Sequence, residues 1–287
     1  MKIIFYIFTI FPLKPAFFMW DTLFKVLPLN ILRLMPPFRV TKTNLSIAFP
    51  GLAKHELDLL AKESYKETLK SFYETLYTWS RSSKKIIRET KRINNRFLFN
   101  SQEKESGLII FALHNRSIDF LLRWISSQRP HTSLYKKIKL KPIDKFVKKF
   151  RQEGNCTMVE TGIGGVKTIL NSLEKNQMTC MASDQVPANG LGVYSTFFGH
   201  ECYSFSLAPK LARKSNKQIL MSYLSYEKDI GHIINFKKPS NEIYENNGVD
   251  VMNEEMEREI KKSPTEYSWE YKKFRKLSQE PKSIYKS

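Results

Sequence analysis

The sequence predicts an α/β fold: a single domain with a mixed, largely parallel sheet flanked by helices, preceded by an N-terminal hydrophobic helical anchor. Three observations lead there. From residue 107 onward, apolar runs of strand length alternate with amphipathic stretches of helical length. Gly and Pro punctuate the joints between them, and residues 3 to 35 are crowded with Phe, Ile and Trp. With 287 residues, 41% of them hydrophobic and 13% aromatic, the chain can bury a large core, so disorder is excluded as a description of the whole.

Residues 3 to 13 are uncharged and almost wholly apolar; Lys14 and Pro15 interrupt the run, a second run extends to Trp20, and Asp21, Lys25 and Arg33 follow. A spanning helix needs roughly 20 apolar residues with few charges, which this segment reaches only by burying Lys14 and tolerating Pro15. A helix packed on the core is the plain alternative. The density of aromatic and aliphatic side chains beside basic ones favours residues 1 to 36 as a membrane-associated segment and residues 37 to 287 as the main domain.

Residues 54 to 79 lack Gly and Pro and space Leu69, Phe72, Tyr73, Leu76 and Tyr77 along one helix face, an aromatic stripe suited to the core. Residues 80 to 92 are polar and basic, a solvated helix face or connector. The continuous apolar run over 107 to 113 predicts a buried strand, 117 to 128 a helix, and His114 to Ser117 the junction between them. A basic helix over 142 to 153 has Pro142 in its first turn and Gly154 past its end. Then come a strand over 156 to 160, a helix over 165 to 175 and a strand over 178 to 183. A loop rich in Pro, Gly and Asn leads to a helix ending at residues 212 to 214. Residues 218 to 226 and 232 to 236 form a strand pair, and residues 251 to 263 a charged helix.

Lys plus Arg number 47 against 28 Asp plus Glu, and the net +19 is uneven: residues 1 to 150 hold 28 basic and 11 acidic side chains (+17), the remainder 19 and 17 (+2). Such asymmetry implies an anionic partner, whether nucleic acid, membrane surface, or acidic protein or substrate. No helix-turn-helix, zinc-finger or RNP signature supports nucleic acid, which becomes the distant alternative. Cys156, Cys180 and Cys202 are odd in number and far apart, which argues against a disulfide scaffold or structural zinc and for a reducing compartment; each reads as a small apolar filler. His55, His131, His200 and His232 have no metal-ligand spacing, so no metal is expected. Gly162-Ile163-Gly164-Gly165 lacks the third glycine of a dinucleotide loop and the lysine of a nucleotide P-loop, and reads as a tight turn. No G-x-S-x-G occurs, against a serine hydrolase.

The sharpest chemical signal is the stretch His114-Asn115-Arg116-Ser117-Ile118-Asp119. If a strand ends near Leu113 and a helix starts near Ser117, His114 leaves the strand tip and Asp119 lies in the first helical turn, where its carboxylate can turn back to one ring nitrogen. That pairing would fix the tautomer and leave the other nitrogen free as a base for an attacking alcohol or amine. A histidine capping a helix beside an incidental surface acid has the same spacing. Position at the mouth of a parallel sheet favours the functional reading.

An H-x4-D box also brings a family to hand. Around it lie Arg39 with Asn44-Leu45 and Phe49-Pro50, Glu74 near the end of the long helix, Leu134-Tyr135, Arg151 with Gly154, Asp184-Gln185 and Gly192-Val193. Phe197-Phe198-Gly199, Leu211-Ala212-Arg213, and Trp269 with Arg275 complete the ordered set. Over most of its length the chain resembles the late acyltransferases of lipid A biosynthesis, the lauroyl and myristoyl transferases. The resemblance implies an enzyme at the cytoplasmic face of a bacterial inner membrane that moves a fatty acyl chain from acyl carrier protein to a hydroxyl of a lipid A precursor. The thioester co-substrate is the electrophile, so no cofactor is implied. By the same resemblance His114 is the general base, Asp119 orients it, Arg151 binds substrate or stabilises charge on the thioester oxygen, and Asp184 and Gln185 line the site with Arg116. Arg151 follows Lys148 and Lys149 and reads equally as part of a basic surface. A lysophospholipid or other glycerolipid acyltransferase is the runner-up, because an H-x4-D box serves that chemistry too.

Overall fold

A computed structural model of the chain describes residues 1–100, 107–279 and 284–285. Among these, seven strands form one sheet in the order β1-β9-β8-β2-β5-β3-β4. They are β1 (Thr90–Asn94), β2 (Leu108–Ala112), β3 (His131–Tyr135), β4 (Cys156–Glu160), β5 (Met178–Ala182), β8 (Gln218–Glu227) and β9 (Gly231–Lys237). Every neighbouring pair is parallel except the β8–β9 hairpin. A separate antiparallel hairpin joins β6 (Gly192–Phe197) to β7 (His200–Phe205). The mixed, largely parallel α/β architecture predicted from the alternation is thus the observed one.

Residue alternation along β2 explains the two helical layers. Ile109, Phe111 and Leu113 point into a core shared with α10 (Ile163–Glu174), α11 (Leu207–Ser215) and α12 (Gly248–Lys262). Leu108, Ile110 and Ala112 point the other way, into a core with α8 (Ile118–Gln128). A strand buried on both faces has no polar side to show, which is why β2 reads as an unbroken apolar run. Each such aliphatic side chain contributes about 1.5–3 kcal/mol on burial.

The long helix α5 (Lys54–Ser80) is present, but its aromatic stripe divides: Tyr77 is 2% exposed while Phe72 is 61% exposed. The buried face of α5 is largely polar, with Ser64, Glu74 and Thr78 inside, because it packs over a charged network described below. Residues 80 to 92, expected to be a helix face or connector, form α6 (Ser83–Glu89) and then enter β1 at the sheet edge. The basic helix α9 (Lys141–Gln152) starts with Pro142 in its first turn. The glycine run makes the β4–α10 turn, where a Cβ on Gly165 would collide with the carbonyl oxygen of Glu160. All three cysteines are free and buried, as small fillers should be.

The N-terminal segment forms α1 (Lys2–Phe8) and α2 (Leu13–Val26), followed by α3 (Leu29–Arg33) and α4 (Pro36–Ala48). No single helix among the described residues is long and apolar enough to cross a membrane; α1 and α2 satisfy that test only as a pair, bent by 53°. The inner face of α2 belongs to the protein core, with Phe17 edge-on to Tyr226 at 4.9 Å. The outward faces carry exposed Ile3, Ile7, Phe8, Ile10, Phe18 and Val26.

Candidate active site

The register of β2 and β5 creates the site. Ala112 pairs with Ala182, and Ser183 N–H donates to the Ala112 carbonyl at 3.0 Å, so the two chains leave the sheet in step. Two residues past the paired alanines, His114 and Asp184 stand side by side. The His114 Nδ1 lies 2.7 Å from Asp184 Oδ1, and the His114 backbone N–H donates to Oδ2 at 3.2 Å. With Nδ1 as the protonated nitrogen, Nε2 presents its lone pair outward, where the Gln185 amide nitrogen donates to it at 3.3 Å. Asp184 is 2% exposed, and the imidazole is 19% exposed.

Electrostatics follow from this geometry. Burial disfavours the charged imidazolium, yet the adjacent Asp184 carboxylate outweighs it and lifts the His114 pKa above the ordinary histidine value. Burial pushes Asp184 up, but His114, its two hydrogen bonds and the charge of Lys273 hold it below the usual carboxylate range. Asp184 therefore stays ionised and fixes tautomer and orientation. Behind it stands the buried Tyr267 hydroxyl, whose pKa burial and the hydrogen bond to Asp184 drive upward, so that it remains a donor to that carboxylate.

His114 opens onto a cavity of about 380 Å³. Leu134, Ile138, Met181, Val186, Leu191 and Phe205 supply an apolar wall, and Lys136, Lys137 and Arg151 a cationic one. Gln185, named from the resemblance, lines it as well.

The sequence expectation for the orienting acid is corrected here: the ring nitrogen meets Asp184, not Asp119. Asp119 instead accepts two hydrogen bonds from Arg151, from Nε at 2.6 Å and Nη2 at 3.0 Å. The first turn of α8, where Ser117 caps by accepting from Phe120 N–H at 3.3 Å, aims Asp119 sideways toward α9 rather than back to the strand tip. Burial opposes the Arg151 charge, but Asp119 keeps its pKa raised, so the guanidinium is held charged at the cavity wall.

Arg116, expected among substrate-binding groups, does not line the cavity. It adopts a left-handed φ of +58°, which turns its side chain inward, where it is 1% exposed between Glu67, Glu74 and Glu266 at 2.7, 2.6 and 3.1 Å. His232 Nε2 adds a contact to Glu74 at 2.9 Å. Burial would raise Glu74, but Arg116 and His232 bring it down to about 2. Glu266, where burial prevails over Arg116, is pushed up to about 7. The network is a foundation for the turn that carries His114: Glu266 O accepts from Arg116 N–H at 3.0 Å, and Ser268 N–H donates to His114 O at 3.0 Å.

Other residues of the ordered motif set prove to be scaffolding. Asn44 donates to the carbonyls of Trp269 and Tyr271 at 2.6 and 2.8 Å, and Phe49, Phe198 and Trp269 pack edge to edge. Tyr271, which sequence reasoning did not single out, places its hydroxyl 3.0 Å from Val186 N and so braces the loop that follows Gln185.

Residues 17–276 match the family model described as bacterial lipid A biosynthesis acyltransferase. The chain belongs to that family. It is 21% identical over 252 residues to a lipid A biosynthesis palmitoleoyltransferase of Escherichia coli (strain K12), covering 86% of this chain and 81% of the relative. The same figures hold for a lipid A biosynthesis acyltransferase of Shigella flexneri. Family membership makes the chain an acyltransferase of lipid A biosynthesis.

Proposed function

We propose that the protein transfers a fatty acyl chain from the thioester of acyl carrier protein to a hydroxyl of a lipid A precursor, with His114 as general base and Asp184 as its orienting carboxylate. The observation that carries this reading is the His114–Asp184 pair at the mouth of a half-apolar, half-cationic cavity. The acceptor hydroxyl displaces the Gln185 amide from His114 Nε2, gives its proton to that nitrogen and attacks the thioester carbonyl. The thiolate leaves on collapse of the tetrahedral oxyanion and takes the proton from the imidazolium. Arg151, oriented by Asp119, stands at the cavity wall with Nη1 free of Asp119, suited to stabilising charge on that oxyanion. Asp119 is thus retained as a site residue that acts through Arg151.

The exposed apolar faces of α1 and α2 fit a lipid surface better than water, because contiguous exposed Ile and Phe are costly in solvent. They support a seat on the inner membrane's cytoplasmic leaflet, where the acceptor resides. Incubating the purified protein with acyl-acyl carrier protein and a lipid A precursor, beside a lysophospholipid, is the direct test. Mass spectrometry should find one added acyl chain on the precursor; acylation of the lysophospholipid alone would replace this reading with the runner-up.

Donor docking is supported by the exposed lysines near the cavity. Lys136, Lys139, Lys141, Lys145 and Lys149 are exposed and form no ion pair among the described residues, whereas Lys137 pairs with Glu160 at 2.9 Å. An acidic carrier protein approaching this face is steered by a field that salt screens. Reversing Lys141, Lys145 and Lys149 to Glu is expected to raise the KM for the acyl carrier protein about tenfold at low salt, with the gap narrowing as salt is added. An unchanged KM at every salt concentration would leave the basic face without this role.

A further inference from the structure

A second recess lies across one loop from the catalytic cavity. Residues 186 to 191 form the shared wall: Val186, Pro187, Ala188 and Leu191 face the cavity, while Asn189 and Gly190 face a groove lined also by Tyr194, Tyr203, Arg275 and Lys276. Tyr194 and Tyr203 are cross-strand partners on β6 and β7, their rings edge to face at 5.4 Å, and Tyr194 is 49% exposed.

The two cations differ from the others around the site. Arg151 and Arg116 are matched by carboxylates. Arg275 donates only to neutral acceptors, the carbonyls of Val186 at 3.2 Å and Lys272 at 3.3 Å, and Lys276 donates to the Asn189 side chain. Arg275 lies 4.9 Å from the Tyr271 ring and Lys276 4.7 Å over the Tyr203 ring. Among the described residues neither forms an ion pair. Neutral acceptors fix a cation's position without cancelling its charge, so the groove offers two positioned, uncompensated charges beside an exposed aromatic face. Phosphate is met by the first feature and a sugar ring by the second.

Resting on the acyltransferase reading above, we propose that this groove binds the phosphorylated sugar headgroup of the acceptor lipid, and that the 186–191 loop separates headgroup from acyl donor. A donor cofactor arm also carries phosphate, so the test must tell the two sources apart. Lys276→Met, which removes a charge-assisted contact, and Tyr194→Ala, which removes the aromatic face, are each expected to raise the KM for the lipid A precursor about tenfold, while the KM for the acyl donor stays within twofold. Thermal melts alongside identify any variant that fails to fold. A raised donor KM with an unchanged acceptor KM overturns the proposal, as does no change in either. Binding of glucose 6-phosphate to the wild-type protein, followed by NMR, needs no turnover and so separates this proposal from the acyl-transfer reading. Saturable binding weakened by both substitutions supports the headgroup site. No binding, or binding that inorganic phosphate matches and Tyr194→Ala leaves intact, overturns it.

Discussion

His114→Ala is expected to lower the rate of acyl transfer by about 10²–10⁴-fold, the usual contribution of a positioned base, while far-ultraviolet circular dichroism and melting temperature stay near wild type. The imidazole sits at the cavity rim and carries little of the core, so truncating it removes chemistry rather than packing. Asp184→Asn is the sharper companion. His114 must be neutral to accept a proton, so activity rises with pH through its pKa, which Asp184 holds above the ordinary histidine value. Removing that negative charge lowers the pKa and moves the acid limb of the pH–rate profile to lower pH, together with a loss of rate from the wrong tautomer. Asp119→Asn leaves the acid limb in place, because Asp119 bonds Arg151 and not the ring. If the Asp119 variant shifts the limb and the Asp184 variant does not, the assignment of the orienting acid is wrong.

The largest loss of stability is expected from Arg116→Met. Three carboxylates, Glu67, Glu74 and Glu266, converge on one guanidinium, and deleting it leaves buried charges uncompensated at a cost of about 3–5 kcal/mol. The pH dependence gives this prediction its sign. Glu74 titrates at about 2 in the folded chain against an ordinary 4.5, so its stabilisation is present above pH 4.5 and lost as pH falls through 2. Glu266 titrates at about 7 against 4.5; here the folded state holds its proton more tightly, and stability declines as pH rises from 4.5 to 7. Without Arg116 both carboxylates move up. The penalty in urea melts is therefore greatest near pH 8 and shrinks toward pH 5, where protonation relieves the repulsion. A loss under about 1 kcal/mol, or one independent of pH, would show that the network carries no such load.

Much of the fold was legible because strands buried on both faces need apolar runs, and β2, β5, β8 and β9 have them. Two strands of the seven-stranded sheet escaped for opposite reasons. β1 is an edge strand whose Lys91 and Arg92 face water, so its composition resembles a connector. β3 is buried yet polar: His131 is held by Ser126 and Ser133 at 2.9 and 2.8 Å, and Thr132 by Ser172 at 3.0 Å. Such internally satisfied polar groups leave no hydrophobic signature. The β6–β7 hairpin was missed because its tight turn uses Phe198 and Gly199, both at positive φ, a pairing that ordinary turn chemistry does not suggest.

At the site, local spacing singled out His114 but not the carboxylate that its ring meets. Asp119 is five residues from His114 and Asp184 seventy, and only the adjacency of β2 and β5 brings the latter into reach. Arg116 misled for a related reason: one left-handed residue reverses the direction of a side chain that the motif alone would aim at substrate. The basic bias of residues 1 to 150 was readable from composition, but that Arg116, and Arg151 just beyond that stretch, are already matched by carboxylates was not.

The in-step exit of β2 and β5 makes the dyad a gauge of strand register. A slip of two residues along either strand would carry His114 about 6.6 Å from Asp184, breaking the hydrogen bond while leaving most apolar side chains on their proper faces. Such a slipped molecule would have near-native helix content and a compact core, yet its imidazole would titrate without its carboxylate. An NMR titration of His114 is therefore a test of correct assembly that spectroscopic measures of secondary structure are blind to, and it can sort inactive variants into those that lost a chemical group and those that mispaired.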